Sequence, residues 1–363
     1  MQTKLLAMRV FSYIKYTSVL FSIGIIMLSL YLGGLWVFVA PLYVFGLIPL
    51  MELVIPGTTE NMTKAEEEVA KKDAVYDWLV WGVVPLQFAI MFFFLNRVSD
   101  ASLPWWEITG MVFAFGISCG VLGINAAHEL GHRSTWYEQL MSKMLLSTSL
   151  YMHFFIEHNR GHHKNVSTDE DPASSRYGEV IYAFYLRSVR DSWISAWKLE
   201  SDRLKKTEHS VWSIHNEMLV YQFIQIAMLL SIALVWGILP MICFVASATV
   251  GFLLLETVNY IEHYGLRRKM IDGSYYEKVL PVHSWNSNHP IGRIMLFELT
   301  RHSDHHYMAS RKYQILRHFD HSPQMPTGYP GMMVLALFPP LWFKVMHRQI
   351  EKYKATAEGA ALA

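Results

Sequence analysis

The sequence predicts an all-α membrane protein: a bundle of six transmembrane helices with a helical cap on the cytoplasmic side, and a histidine-rich site carried by that cap. Three observations predict it. Charged residues make up 17% of the 363, against roughly 25% in soluble proteins. Two long runs carry no charge, each long enough for a pair of spans. Of the 31 Lys and Arg residues, all but Arg97 fall on one side of the topology those spans define.

Tyr16 to Met51 is 36 residues without Asp, Glu, Lys or Arg. A span needs about 20 apolar residues, so this run holds two, joined near Gly33-Gly34. It is too long and too continuous for a cleaved signal peptide, whose apolar part is about 7–15 residues. A retained helical hairpin is expected. Trp78 to Leu95 supplies the third span and Ile108 to Ala127 the fourth. Met218 to Leu255, 38 residues without charge, supplies the fifth and sixth, connected near Gly237 to Pro240. Gln139 to Phe155 is apolar but holds Lys143 and His153, so it reads as a helix packed in the cap. Met332 to Met346 is interrupted by Pro339-Pro340 and reads as an interfacial or cap-packed segment. Ala355 to Ala363 reads as a disordered tail or part of a linker.

Six spans put both termini on one side. The positive-inside rule assigns that side to the cytoplasm. The chain then divides into 1–127 (helices one to four), 128–217 (cap), 218–260 (helices five and six), 261–346 (cap) and 347–363 (tail), all one integrated domain. With 31 basic against 30 acidic residues, no net field is available to hold nucleic acid. Cys119 and Cys243, the two cysteines, sit in apolar runs as buried thiols. They are too few for a disulfide scaffold, a cysteine-ligated cluster or a zinc ribbon.

The unusual count is 17 histidines, all on the cytoplasmic side. His128-Glu129-Leu130-Gly131-His132 follows helix four directly. Residues i and i+4 share a helical face, so two imidazoles can meet one metal. Glu157-His158-Asn159-Arg160-Gly161-His162-His163 repeats that pairing at His158 and His162, with His163 pointing in an adjacent direction. Arg301-His302-Ser303-Asp304-His305-His306 offers i, i+3 and i+4 spacings. His263, beside Glu262, ends helix six. Crowded imidazoles cannot all protonate, and burying them unpaired is costly; metal cations resolve both problems. Nine ligands exceed the four or so of one zinc and match two metals with four or five imidazoles each. Imidazole suits iron, copper and zinc alike. Glu129, Glu157, Glu262 and Asp304 are candidates to orient imidazole N–H groups.

The first cluster is also a formal H-E-x-x-H, the zinc metalloprotease pattern with Glu129 as base. That reading leaves seven clustered histidines without a purpose. A metal transporter would carry its ligands along a path through the spans, whereas these gather at one end.

Taken together, His-Glu-Leu-Gly-His-Arg, Glu-His-Asn-Arg-Gly-His-His, Asn259-Tyr-Ile-Glu-His-Tyr-Gly-Leu266 and Arg-His-Ser-Asp-His-His resemble the membrane-bound alkane 1-monooxygenases, part of a histidine-rich hydroxylase and desaturase superfamily. Ser284-Trp-Asn-Ser-Asn-His289 and Pro326-Thr-Gly-Tyr-Pro-Gly331 resemble the same enzymes. The resemblance runs from the first hairpin to about Met346. The three histidine clusters indicate the superfamily, and the Asn259–Leu266 motif narrows it. Arg133 stands where family members often carry lysine, which keeps the charge.

The resemblance implies a non-haem di-iron enzyme that hydroxylates the terminal methyl of a medium-chain alkane to a primary alcohol. It implies O2 as co-substrate and electrons from a rubredoxin, itself reduced by an NAD(P)H-dependent reductase. A fatty-acyl desaturase or another lipid hydroxylase is the nearest alternative, separated by its product. An alkane has no polar handle, so an apolar channel open to membrane lipid must orient it. Phe115, Cys119, Leu122, Leu255 and Val258, below the histidines, are the expected walls. Glu256 is an ionisable group near a span end. Arg133, Arg160, Lys164, Arg311 and Lys312 are candidates for docking an acidic donor protein.

Overall fold

The computed structural model describes residues 13–362 apart from residue 18. Lys4 and Arg9, counted in the charge argument, lie outside the described residues, as does Ala363. The elements in order are α1 (Tyr13–Leu32), α2 (Gly34–Val54), α3 (Lys64–Lys72), α4 (Ala74–Val98), α5 (Trp105–Gly131), α6 (Trp136–Ser147), α7 (154–165), α8 (Ile181–Lys206), α9 (Glu217–Trp236) and α10 (Ile238–His263). A two-residue hairpin follows, β1 (Met270–Ile271) and β2 (Tyr275–Tyr276), then α11 (Pro290–Met295), α12 (His302–Tyr307), α13 (Tyr329–Ala336) and α14 (Pro339–Leu362). Among the described residues, helices α1, α2, α4, α5, α9 and α10 are the six long and apolar enough to cross a membrane.

Local chemistry explains the boundaries. Gly33 and Gly34 take positive φ of 65° and 54° in the turn joining α1 to α2, and Gly237 takes 99° between α9 and α10. Only glycine adopts these angles without a Cβ penalty. Thr63 and Glu66 form a reciprocal capping box on α3. Asp73 caps α4 through the Val75 amide, and Asn216 caps α9 by accepting from the Met218 and Leu219 amides. Pro339 and Pro340 interrupt the last apolar stretch as expected, since proline is tolerated only in a helix's first turn. Beyond them, however, α14 runs on to Leu362. The expected irregular tail is therefore a helical one: its alanines favour helix, and Gly359 alone does not stop it.

One contact positions the site more than any other. Gly116 and Gly120 on α5 form a small-xxx-small pair facing Gly251 on α10. A Cβ on Gly116 would lie 2.6 Å from the Val250 side chain, and one on Gly120 would lie 2.9 Å from the Gly251 carbonyl. The two backbones thus touch, as such motifs allow within membranes. The same two helices carry His128 and His263 in their last turns, so their close approach brings those rings together. Opposite them, the Glu52 carboxylate at the end of α2 accepts the Gly292 amide at 2.7 Å and lies directly over Gly328, leaving no space there for a side chain. This clamps α2 to α11 and α13.

Candidate metal centre

All nine singled-out histidines converge, and they do so as two adjacent groups. His128, His132, His158, His163 and His305 have ring nitrogens within 4.8 Å of one another, and so do His162, His263, His302 and His306. The first group draws on the end of α5 and the residue just after it, on α7 and on α12. The second draws on α7, α10 and α12. The groups share a wall, with the His163 and His306 ring centroids 4.5 Å apart.

The division turns on a local feature of α7. His158–His162 is a π-helical turn, in which i and i+5 rather than i and i+4 superpose. His158 and His163 therefore face the same centre, their Nε2 atoms 3.1 Å apart. His162, expected to pair with His158, instead faces His306, at 3.2 Å between Nε2 atoms. In α12 ordinary spacing holds: His302 and His306 belong together, and His305 turns to the other group.

The donor set fits metal ions. His132 and His158, and His305 and His163, also approach Nε2 to Nε2 at 3.1 Å, and His302 and His263 at 3.3 Å. Two imidazoles bound to one first-row metal at about 2.1 Å and roughly at right angles would stand about 3.0 Å apart. Protonation states agree. Burial, then the neighbouring imidazoles, hold His158, His163, His302, His305 and His306 well below the usual histidine range. His132 is pushed down to about 3 by burial, with His162 and Arg133 adding to it. Neutral imidazole is the metal-binding form. His162 is the exception. Burial works against its charge, but the Asp171 carboxylate, 2.9 Å from Nδ1, raises it above the usual value. Asp171 is itself fixed by Ser174 Oγ at 2.5 Å and the Ala173 amide at 3.1 Å. Such a carboxylate sets ring tautomer and orientation.

Of the four carboxylates named from sequence, only Glu262 stands within hydrogen-bonding distance of an imidazole, its Oε2 3.1 Å from His302 Nε2. That is the ring edge facing the centre, not the outer N–H. Glu129 binds the Arg133 guanidinium at 2.6 Å and accepts the Tyr313 amide. Asp304 accepts the Arg317 amide at 2.7 Å and pairs with Arg311. Glu157 receives Ser195 Oγ at 3.4 Å. The only sequence signal for Asp171 was the short acidic run Asp169-Glu170-Asp171. The Ser284–His289 motif proves to be scaffold: Trp285 N donates to the Glu262 carbonyl, and Asn286 Oδ1 accepts the Ser303 amide, holding α12 in place.

An apolar cavity reaches His128, His158 and His302 from within the bundle. Leu255 and Val258, two of the five residues named as channel walls, line it. Phe115, Cys119 and Leu122 are not among its walls. They are buried on the other face of α5, where Phe115 stacks on Phe94 and the Cys119 thiol donates to the Thr148 carbonyl. The α5 wall is Gly120, Val121, Ile124 and Asn125. Counting back three, four and seven residues from His128 gives Asn125, Ile124 and Val121, a signal the sequence did contain. Among the five basic residues considered for docking, Arg133, Arg311 and Lys312 are already paired, with Glu129 and Asp77, Asp304, and Asp77 respectively. Arg160 pairs with Glu200 and Glu217. Lys164 is the exposed one of the five.

A helical membrane protein with two imidazole clusters at its helix ends belongs to the histidine-rich membrane oxygenases and desaturases, and residues 103–349 match the fatty acid desaturase family. Within that class, the chain belongs to the alkane 1-monooxygenases. It is 40% identical over 326 residues to alkane 1-monooxygenase 2 of Pseudomonas aeruginosa, covering 89% of this chain and 86% of the relative. It is 38% identical over 322 residues to alkane 1-monooxygenase 1 of Alcanivorax borkumensis, covering 89% and 79%. With the alkane 1-monooxygenase of Pseudomonas putida it shares 40% identity over 301 residues, covering 83% and 74%.

Proposed function

We propose that this protein hydroxylates the terminal methyl of medium-chain n-alkanes to primary alcohols, using O2 and two electrons from a rubredoxin at two irons held by the nine imidazoles. The observation that carries the reading is the apolar cavity ending on rings of both groups. Val121, Ile124, Leu255, Val258, Met295 and Met333 offer an alkane only shape, so the chain is oriented by confinement, with one terminus at the histidines. Polar groups occur at the histidine end: Asn125, Asn259 and Glu262. The Asn125 Nδ2 is buried without a partner among the described residues. It is suited to donate a hydrogen bond to an alcohol oxygen once that oxygen exists, favouring product geometry over substrate.

Iron bound by these rings supplies the oxygen activation and one-electron chemistry that no side chain in the cavity can. The five-histidine group is His128, His132, His158, His163 and His305, and the four-histidine group His162, His263, His302 and His306. Asp171 fixes His162, and burial keeps six rings neutral for coordination. The one-sided basic residues support an inner-membrane topology with both termini, the cap (128–217 and 261–346) and the histidines on the cytoplasmic side, where a soluble donor can dock. Of the five basic residues considered for docking, the exposed Lys164 is the one suited to meet an acidic donor.

The test is product analysis with heavy-isotope O2. Purified, iron-loaded protein is given rubredoxin, its reductase, NADH and n-octane. Heavy oxygen in 1-octanol is the expected result. An unsaturated product, or no alcohol from an iron-replete sample, would overturn the reading.

A further inference from the structure

Alkane hydroxylation consumes protons: RH + O2 + 2 e− + 2 H+ gives ROH + H2O. With electrons delivered by a rubredoxin, as proposed above, the protons must come from solvent. The alkane cavity is unsuited to carry them because its walls are almost wholly apolar. A second passage reaches the centres from another direction. A small chamber, with room for about one water, is bounded by Tyr151, Glu157, His158, His162, Glu256 and Asn259. It touches His158 of the five-histidine group and His162 of the four-histidine group.

Glu256, two turns before His263 on α10, is buried to 1% exposure in the wall of this chamber. Its Oε1 accepts the Tyr151 hydroxyl at 2.8 Å, its Oε2 accepts Ser188 Oγ, and Asn259 Nδ2 lies 3.4 Å away. No cation pairs with it among the described residues. The groups facing it are Tyr151 and His153 from the segment before α7, Glu157 and His162 from α7, and Tyr185 and Ser188 from α8. Tyr151 and His153 are also walls of a more open outer cavity between α8, α9 and α10, where Arg190, Gln222 and Gln225 stand among the apolar Leu150, Val189, Trp193, Ile194 and Phe252. The two residues are thus a doorway between the outside and the chamber, their rings 4.2 Å apart. His153 Nε2 is buried there without a partner among the described residues.

We propose that Glu256, reached through Tyr151 and His153, is the proton-supplying group for oxygen reduction at the paired centres. It passes a proton into the chamber, on the side of the histidines away from the alkane, and is reprotonated from the outer cavity. Ordered water bridges such gaps at little cost.

The test uses the full-length, iron-loaded protein. Glu256→Gln keeps shape and hydrogen bonding but cannot relay a proton. The expected result is a tenfold or greater fall in kcat, with iron content and alkane KM unchanged and a larger share of O2 leaving as hydrogen peroxide. Glu256→Asp should recover part of the rate, and His153→Phe, which blocks the doorway, should reproduce the fall. A second readout needs no turnover. The C=O stretch of a protonated carboxyl should be lost from the infrared spectrum in Glu256→Gln, shift on transfer to D2O in the parent, and shift more slowly in His153→Phe. Parent-like kcat and peroxide release in Glu256→Gln would overturn the proposal. So would loss of iron in that variant, which would make the residue structural, or a carboxyl band indifferent to both substitutions. If the parent itself makes no alcohol, the hydroxylase reading fails, and the infrared result still decides whether this path conducts protons.

Discussion

Substituting Gly251 by alanine should cost the protein much of its metal, although the residue lies three turns from the nearest candidate ligand. The new Cβ would sit 2.5 Å from the Cys119 Cβ, with the Gly116 carbonyl and the Gly120 amide at 3.3 Å. Carbon atoms in contact prefer about 3.5–4.0 Å, so α5 and α10 must part by roughly 1 Å. Overpacking of this kind costs about 1–3 kcal/mol. The larger effect is geometric, because α5 delivers His128 and α10 delivers His263, while metal sites tolerate only about 0.2 Å in their ligand distances. Iron measured by elemental analysis on detergent-purified protein should fall well below the parent value, and alkane turnover should fall with it. Removing the facing Cβ in the double variant Gly251→Ala/Cys119→Gly should restore part of both, a coupling that a double-mutant cycle measures directly. Parent-like iron in the single variant would refute the argument that this crossing sets the site. So would a double variant no better than the single.

Four further outcomes follow from the same geometry. His163→Ala and His162→Ala, neighbours in sequence, should each leave about half the metal but disturb different ions, as iron spectroscopy can distinguish; identical residual spectra would contradict the five-and-four division. Asp171→Asn should weaken metal binding by about 10- to 100-fold through loss of His162 orientation, read by competition with a chelator. In the metal-free protein, six rings have pKa values depressed by burial and the unfolded chain protonates them near 6.5, so the unfolded state binds more protons below that pH. Stability should therefore rise with pH through this window and be lost on acidification. His132 alone, held at about 3, costs about 2 kcal/mol by pH 5, and thermal melts between pH 7 and pH 5 would show the trend. Finally, Lys164→Glu should raise the KM for rubredoxin while leaving the KM for octane unchanged, and Arg311→Glu should instead lower protein yield, because Arg311 is committed to Asp304.

What the sequence determined by itself is what depends on composition and short spacing. Charge-free runs of the right length marked all six spans and both tight connections, because a lipid-facing helix admits few charges and a one-residue turn demands glycine. All nine histidines that converge were identifiable, because eight stand in three local clusters and His263 ends helix six beside Glu262. Tertiary structure decided how they divide. The π-turn at His158–His162 sends His162 away from His158 and brings in His163, and a single inserted residue per turn leaves no mark in a five-letter motif. It decided which face of α5 lines the apolar cavity, since Phe115, Cys119 and Leu122 are as apolar as Val121 and Ile124 and differ only in what they pack against. It also set the partners of Asp171 and of Glu256, an ionisable group the sequence had already marked near a span end. Hydrogen-bond partners such as His162 and Tyr151, 9 and 105 residues away, are chosen by the folding of the chain, which local patterns of residue type do not encode.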